Sequence, residues 1–254
     1  MKPKVRVKKQ AVPGVFTFFN LFFGFLAIIQ ASQGRIENAC WLILAAALFD
    51  ALDGPMARAL KVTTPFGTEF DSIADVVSFC IAPAVLIYFS FVQDLHPLLA
   101  AAVSFVPLFA GAFRLARFNQ DTTETPSAFY SGLPSTAFAI TLSSFVIFNS
   151  RLLGITGDPK IALPLVLLLS LLMVSHLAYP KLTYIGKGWH GRIRVIFFLL
   201  SLAALTWWRG LVLFPLTMMY VVGGFIRLLT HYDGTEPRPR LMWIGRKGRG
   251  RHGQ

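Results

Sequence analysis

Four aspartates crowd the stretch DALDGPMARALKVTTPFGTEFDSIAD, positions 50–75 of a hydrophobic chain. Asp50 and Asp53 are three residues apart, and Asp71 and Asp75 are four apart. On helices, those spacings put each pair on one face. Gly54 and Ala57 share the face of Asp50 and Asp53, and the loop between the pairs is short enough for the two faces to meet. A carboxylate at mid-membrane costs roughly 2.5–3.5 kcal/mol on the insertion scale, so four together need a chemical reason. Facing carboxylates repel, and Arg58 alone cannot neutralise them. Mg²⁺ and Mn²⁺ can, because they prefer carboxylate oxygens; Mg²⁺ also usually keeps positions for water and substrate phosphates. Two such ions a few Å apart stabilise the attacking and leaving oxygens of a displacement at phosphorus. The cluster therefore points to phosphoryl chemistry at a membrane surface, with two divalent ions per site. Helix capping or pairing with surface lysines explains one aspartate; it does not explain four at this spacing.

The elements that must position them are transmembrane helices. Hydrophobic residues make up 55% of the 254-residue chain and charged residues 14%, against about 25% charged in a soluble domain. A spanning helix needs about 20 mostly apolar residues. Runs at 14–32, 38–60, 70–92, 96–118, 134–150, 161–179, 193–208 and 211–229 meet or approach that length. The expected fold is an all-α polytopic membrane bundle of about eight transmembrane helices. Pro83 interrupts the third run, a kink that neighbouring helices can satisfy. Cys40 and Cys80 lie in apolar runs and suggest neither a disulfide framework nor a zinc site.

The net charge of +12 fits either nucleic-acid binding or membrane orientation, and its placement favours orientation. With a cytoplasmic N-terminus, 20 of the 24 Lys and Arg residues fall on the cytoplasmic side; Arg35, Arg151, Lys160 and Arg209 fall outside. Eight spans with both termini and the aspartates in the cytoplasm follow from the positive-inside rule. The basic start and the apolar run after it are expected to be a retained first helix, because no clear small-x-small cleavage site precedes Gly34. Residues 230–254 read as a basic, disordered cytoplasmic tail near anionic headgroups, with no nucleic-acid partner. The scattered histidines receive no catalytic role.

Asp50-x2-Asp53-Gly54-x2-Ala57-Arg58-x8-Gly67-x3-Asp71-x3-Asp75 resembles, without departure, the signature of the CDP-alcohol phosphotransferase family. Those integral membrane enzymes displace CMP from a CDP-linked donor with an alcohol. The resemblance implies metal ligation by Asp50, Asp53, Asp71 and Asp75, with Asp71 bridging two ions and Asp75 also acting as general base. It implies donor binding by Gly54, Ala57, Arg58 and Gly67. Small residues there would let the cytidine approach the backbone, and the Arg58 guanidinium suits a diphosphate. Thr64 sits where the family often has a hydroxyl near a donor phosphate. Thr17 and Asn20 are polar positions on the first helix that either touch the donor or join helices.

FTFFNLFFGFLAI (16–28), SFCIAPA (78–84), FRLARFN (113–119) and FYSGLPST (129–136) further resemble the family's phosphatidylserine synthase branch. The resemblance implies CDP-diacylglycerol as donor, L-serine as acceptor, a homodimer, and placement in the cytoplasmic (inner) membrane of the cell. It implies a six-helix core within 1–190, followed by a helix pair at 191–229. Arg114 and Arg117 are candidates for the serine carboxylate, and Asn119 for orienting the substrate. The same arginines equally suit a glycerol-phosphate acceptor, or serve only as topology signals; Asn119 equally suits a helix-end cap. An inositol-phosphate acceptor remains open, as does a divalent-cation transporter with an acidic pathway, although that would be expected near the midplane.

Overall fold

In lipid every backbone N–H and C=O must find a partner within the protein, so long apolar runs fold as helices. The computed structural model describes residues 4–60, 64–120, 129–175, 177–180 and 211–230. Seven helices run through them: α1 (Lys4–Ser32), α2 (Ile36–Leu60), α3 (Pro65–Val92), α4 (Pro97–Gln120), α5 (Ser135–Leu153), α6 (Pro159–Val174) and α7 (Leu213–Thr230). Two three-residue strands, β1 (Phe129–Ser131) and β2 (Ala178–Pro180), pair antiparallel with Tyr130 opposite Tyr179. The run expected at 193–208 and the tail beyond 230 lie outside the described residues.

Four segments are long and apolar enough to cross a membrane: Gly14–Ser32, Pro65–Val92, Pro97–Phe118 and Ser135–Leu153. The chain is therefore a multi-pass helical membrane protein. α2 is as long as these but carries Glu37, Asp50 and Asp53. Helices α6 and α7 are apolar and shorter. Phe18, Phe22 and Phe25 on α1 and Phe105, Phe109 and Phe113 on α4 face outward, where a soluble protein would place polar side chains.

α3 starts five residues before the expected 70. Thr64 is its N-cap, accepting from the Gly67 N–H at 3.1 Å, and Pro65 opens the first turn. That start signal precedes the apolar run and so escapes a hydropathy reading. Two π turns, Val77–Ile81 and Tyr88–Val92, widen the helix. The first ends with the Ala82 N–H donating to the Val77 carbonyl, five residues back. It lies directly before Pro83, which has no N–H to continue the ordinary ladder.

α1 packs along α2, and both lie against α3. Buried alanines, Ala27 and Ala31 on α1 and Ala39, Ala46 and Ala47 on α2, let these backbones come close. The core continues through Phe79, Leu86 and Ile87 of α3 to Phe138, Leu142 and Ile147 of α5 and Leu169 and Met173 of α6.

Candidate active site

Aromatic packing sets the phase of α2 where its carboxylates begin. Phe49 is clasped by Phe16, Phe19 and Phe23 of α1, with ring centroids 6.2, 5.2 and 5.3 Å away. The next residue is Asp50. From α3 come Asp71 and Asp75, one helical turn apart. Oxygens of Asp50, Asp71 and Asp75 lie within 4.8 Å of one another. Asp53 sits beside this trio: it faces Asp71, while Asp50 faces Asp75. The structure thus brings Asp50, Asp71 and Asp75 together, with Asp53 beside them.

α1 supplies polar partners. The Thr17 hydroxyl donates to Asp53 Oδ2. Asn20 Nδ2 donates to Asp75 Oδ1 at 3.2 Å. Both side chains are buried. The sequence left them open between donor contact and helix joining; the structure puts them on the aspartates.

Two close helix crossings fix the height of α3. A Cβ on Gly24 would lie 2.2 Å from Ser78 Oγ and 2.8 Å from Ser78 Cα. The Ser78 hydroxyl donates to the Asn20 carbonyl at 2.9 Å. On the other side, a Cβ on Gly111 of α4 would lie 2.5 Å from Cys80 Sγ. Gly24, Ser78 and Gly111 received no individual reading from sequence, and Cys80 was read only as a cysteine in an apolar run. Their signal is small residues in apolar runs, which also occurs without a crossing.

The residues present suit a divalent ion. Two ionised carboxylates no more than 4.8 Å apart repel by at least about 3.5 kcal/mol at an effective dielectric of 20. Among the described residues, no Lys or Arg forms an ion pair with the four aspartates. Asp71 Oδ1 is buried without a hydrogen-bond partner. A cation among these oxygens turns the repulsion into attraction and gives Asp71 Oδ1 a partner.

The other expected residues divide. Gly54, Ala57 and Arg58 lie on the last turns of α2, where the structure describes the backbone alone, as at Asn119 on α4. Gly67 is helical, and an added Cβ would meet only Thr64 Oγ1, at 3.1 Å. Among the described residues, packing thus leaves space beside it. Arg117 donates to the carbonyls of Val174 at 3.0 Å and Ser175 at 3.1 Å, closing the C-terminal end of α6. A cation there also suits the helix dipole. Arg114 is buried. It lies one turn beyond the Gly111–Cys80 crossing, and Asp75 lies on the same side of that crossing on α3. Cys80 is within electrostatic range of both Asp75 and Arg114.

The segment leading into α5 is closely built. Gly132 has φ +80°, and a Cβ there would lie 2.3 Å from the Met173 carbonyl oxygen. Its N–H donates to Leu177 O at 2.8 Å, and the Leu133 N–H donates to Leu172 O at 2.9 Å. Only glycine combines that φ with that approach.

With this geometry in place, similarity to known proteins identifies the chain's relatives. The profile of the CDP-alcohol phosphatidyltransferase family matches residues 10–175. The chain belongs to the CDP-alcohol phosphatidyltransferase family. A CDP-diacylglycerol–serine O-phosphatidyltransferase of Helicobacter pylori (strain ATCC 700392 / 26695) is 35% identical over 219 residues, 85% of this chain and 90% of the relative. An archaetidylserine synthase of Methanothermobacter thermautotrophicus is 34% identical over 180 residues, 70% of this chain and 73% of the relative. A CDP-diacylglycerol–serine O-phosphatidyltransferase of Methanocaldococcus jannaschii is 38% identical over 166 residues, 65% of this chain and 71% of the relative. The CDP-alcohol phosphatidyltransferase match spans α1 to α6, and so contains all four aspartates and their partners on α1.

Proposed function

We propose that this protein transfers the phosphatidyl group of CDP-diacylglycerol to the hydroxyl of L-serine, giving phosphatidylserine and CMP. The observation that carries this reading is the 35% identity, across 85% of the chain, to a relative named for that reaction. The converged carboxylates support its chemistry. Asp50, Asp53, Asp71 and Asp75 would hold two divalent ions, Mg²⁺ or Mn²⁺. When bound, such ions neutralise charge on the donor's diphosphate and on the oxygens entering and leaving at phosphorus. The serine hydroxyl oxygen forms a bond to the phosphatidyl phosphorus, and the bond to the bridging oxygen of CMP breaks. CMP leaves with that electron pair. Asp75 takes the hydroxyl proton. Gly54, Ala57 and Gly67 admit the cytidine to the backbone, and Arg58 and Thr64 meet the diphosphate. Arg114, buried beside α3, meets the serine carboxylate with Asn119 nearby.

In this reading the bundle has eight spans: a core within 1–190, a pair within 191–229, then a basic cytoplasmic tail at 230–254. The aspartates face the cytoplasm at the inner membrane, and the protein works as a homodimer. The sequence places the carboxylates beside Arg58, Gly54 and Gly67, which favours catalysis on a headgroup over transport of a cation through the midplane. Purified protein given CDP-diacylglycerol and labelled L-serine, glycerol 3-phosphate or inositol phosphate tests the assignment. Metal-dependent CMP release with serine is the expected result. Faster release with glycerol 3-phosphate would move the protein to a sibling activity.

A further inference from the structure

We infer that Thr17 and Asn20 form a clamp on the metal-binding carboxylates: one helix, α1, orients Asp53 of α2 and Asp75 of α3, and so sets the cage's affinity for its ion. This inference rests on the proposed metal-assisted reaction and adds two positioning residues to it. Thr17 and Asn20 are three residues apart and share a face of α1. Each donates to one oxygen of a different aspartate, Asp53 Oδ2 and Asp75 Oδ1. Each bond leaves that aspartate's second oxygen for another partner. Hydrogen bonds from an outer layer commonly fix how a carboxylate faces a metal.

Chemistry fixes the sense of the Asn20 amide. An ionised carboxylate only accepts, so the NH₂ group must point at Asp75. The amide oxygen then points away, buried and without a hydrogen-bond partner. Asn20 has no exposed surface, and a leucine of similar size would fill the space without stranding a polar atom. The bond to Asp75 is therefore the feature that asparagine supplies here. Asn20 is itself held, because Ser78 of α3 donates to its carbonyl at 2.9 Å beside the Gly24 crossing. α1 thus cannot slide along α3 without moving both donors.

The test measures Mn²⁺ affinity of purified protein in detergent, without substrates, from the EPR signal of free Mn²⁺. Thr17→Val and Asn20→Leu keep side-chain volume and remove the donors. Each should weaken Mn²⁺ binding about 10- to 100-fold, the usual effect of losing such a partner. Thr17→Ser restores the hydroxyl and should rescue the affinity. At saturating Mn²⁺, Asn20→Leu should recover the wild-type KM for serine, a split that general loosening of the fold would not produce. Thr17→Ala and Asn20→Ala replace these variants if either fails to elute as a monodisperse peak. Wild-type Mn²⁺ affinity in the folded variants, with wild-type protein still making phosphatidylserine, overturns the clamp alone. Equal loss in Thr17→Ser and Thr17→Val overturns it too. A wild-type protein that binds no Mn²⁺ overturns the metal-assisted reading, and the clamp with it.

Discussion

Arg117→Ala separates a structural arginine from a substrate-binding one. The guanidinium donates to the carbonyls of Val174 and Ser175 at 3.0 and 3.1 Å. A hydrogen bond from a charged donor contributes about 1.5–3 kcal/mol. The site is only partly buried, so the lower figure applies, and two bonds give about 3 kcal/mol. At about 2–4 °C per kcal/mol for a chain of this size, the unfolding midpoint should fall by roughly 6–12 °C. Arg117→Lys keeps the charge but not the planar fork, so it should lose about half as much. Thermal unfolding in detergent, followed by size-exclusion fluorescence, reads this directly. The KM for serine, measured well below the midpoint, should stay within about twofold of wild type. An unchanged midpoint with a tenfold rise in serine KM would refute the argument and return Arg117 to the acceptor site.

Asp71→Asn should nearly abolish turnover while the protein remains folded, since it removes a charge whose buried oxygen has no hydrogen-bond partner; near-normal kcat would remove Asp71 from the metal site. Chelation should stop CMP release, and Mg²⁺ or Mn²⁺ should restore it; turnover persisting in metal-free buffer would end the metal-assisted mechanism. Gly67→Ala should still fold, because among the described residues the new Cβ meets Thr64 Oγ1 alone, at 3.1 Å, and alanine offers up to about 1 kcal/mol of helix propensity against that contact. Its KM for CDP-diacylglycerol should nevertheless rise, and an unchanged donor KM would show that the space beside Gly67 is not the donor's. Gly24→Val should destabilise by about 1–3 kcal/mol from overpacking against Ser78, and activity should fall further than stability because Asn20 moves with it; full activity in the folded variant would contradict that coupling.

The aspartates were legible because i, i+3 and i, i+4 spacing carries over to any helix, whatever packs around it. The apolar runs were legible because lipid demands them: 14–32 and 211–229 closely match segments of α1 and α7. What escaped depends on how one helix sits against another. Thr17 and Asn20 drew notice as polar residues, but their partners lie 36 and 55 residues away. Among the described residues, the Gly24–Ser78 and Gly111–Cys80 crossings set that height. Arg117 reads from sequence as a candidate for the serine carboxylate or as a topology signal, and nothing local says that it closes α6. The ladder of Phe129–Ser131 with Ala178–Pro180 is too short to leave a period-two pattern.

The two crossings on α3 also bear on ion size. Gly24 against Ser78 and Gly111 against Cys80 leave only one small side chain between neighbouring helices at each crossing. A cage mounted on such a helix resists widening. Ca²⁺ needs six to eight oxygens at about 2.3–2.6 Å, while Mg²⁺ takes six at about 2.0–2.1 Å. Selection against the larger ion would then come from the stiffness of the frame, set by crossings three and five residues along α3 from Asp75.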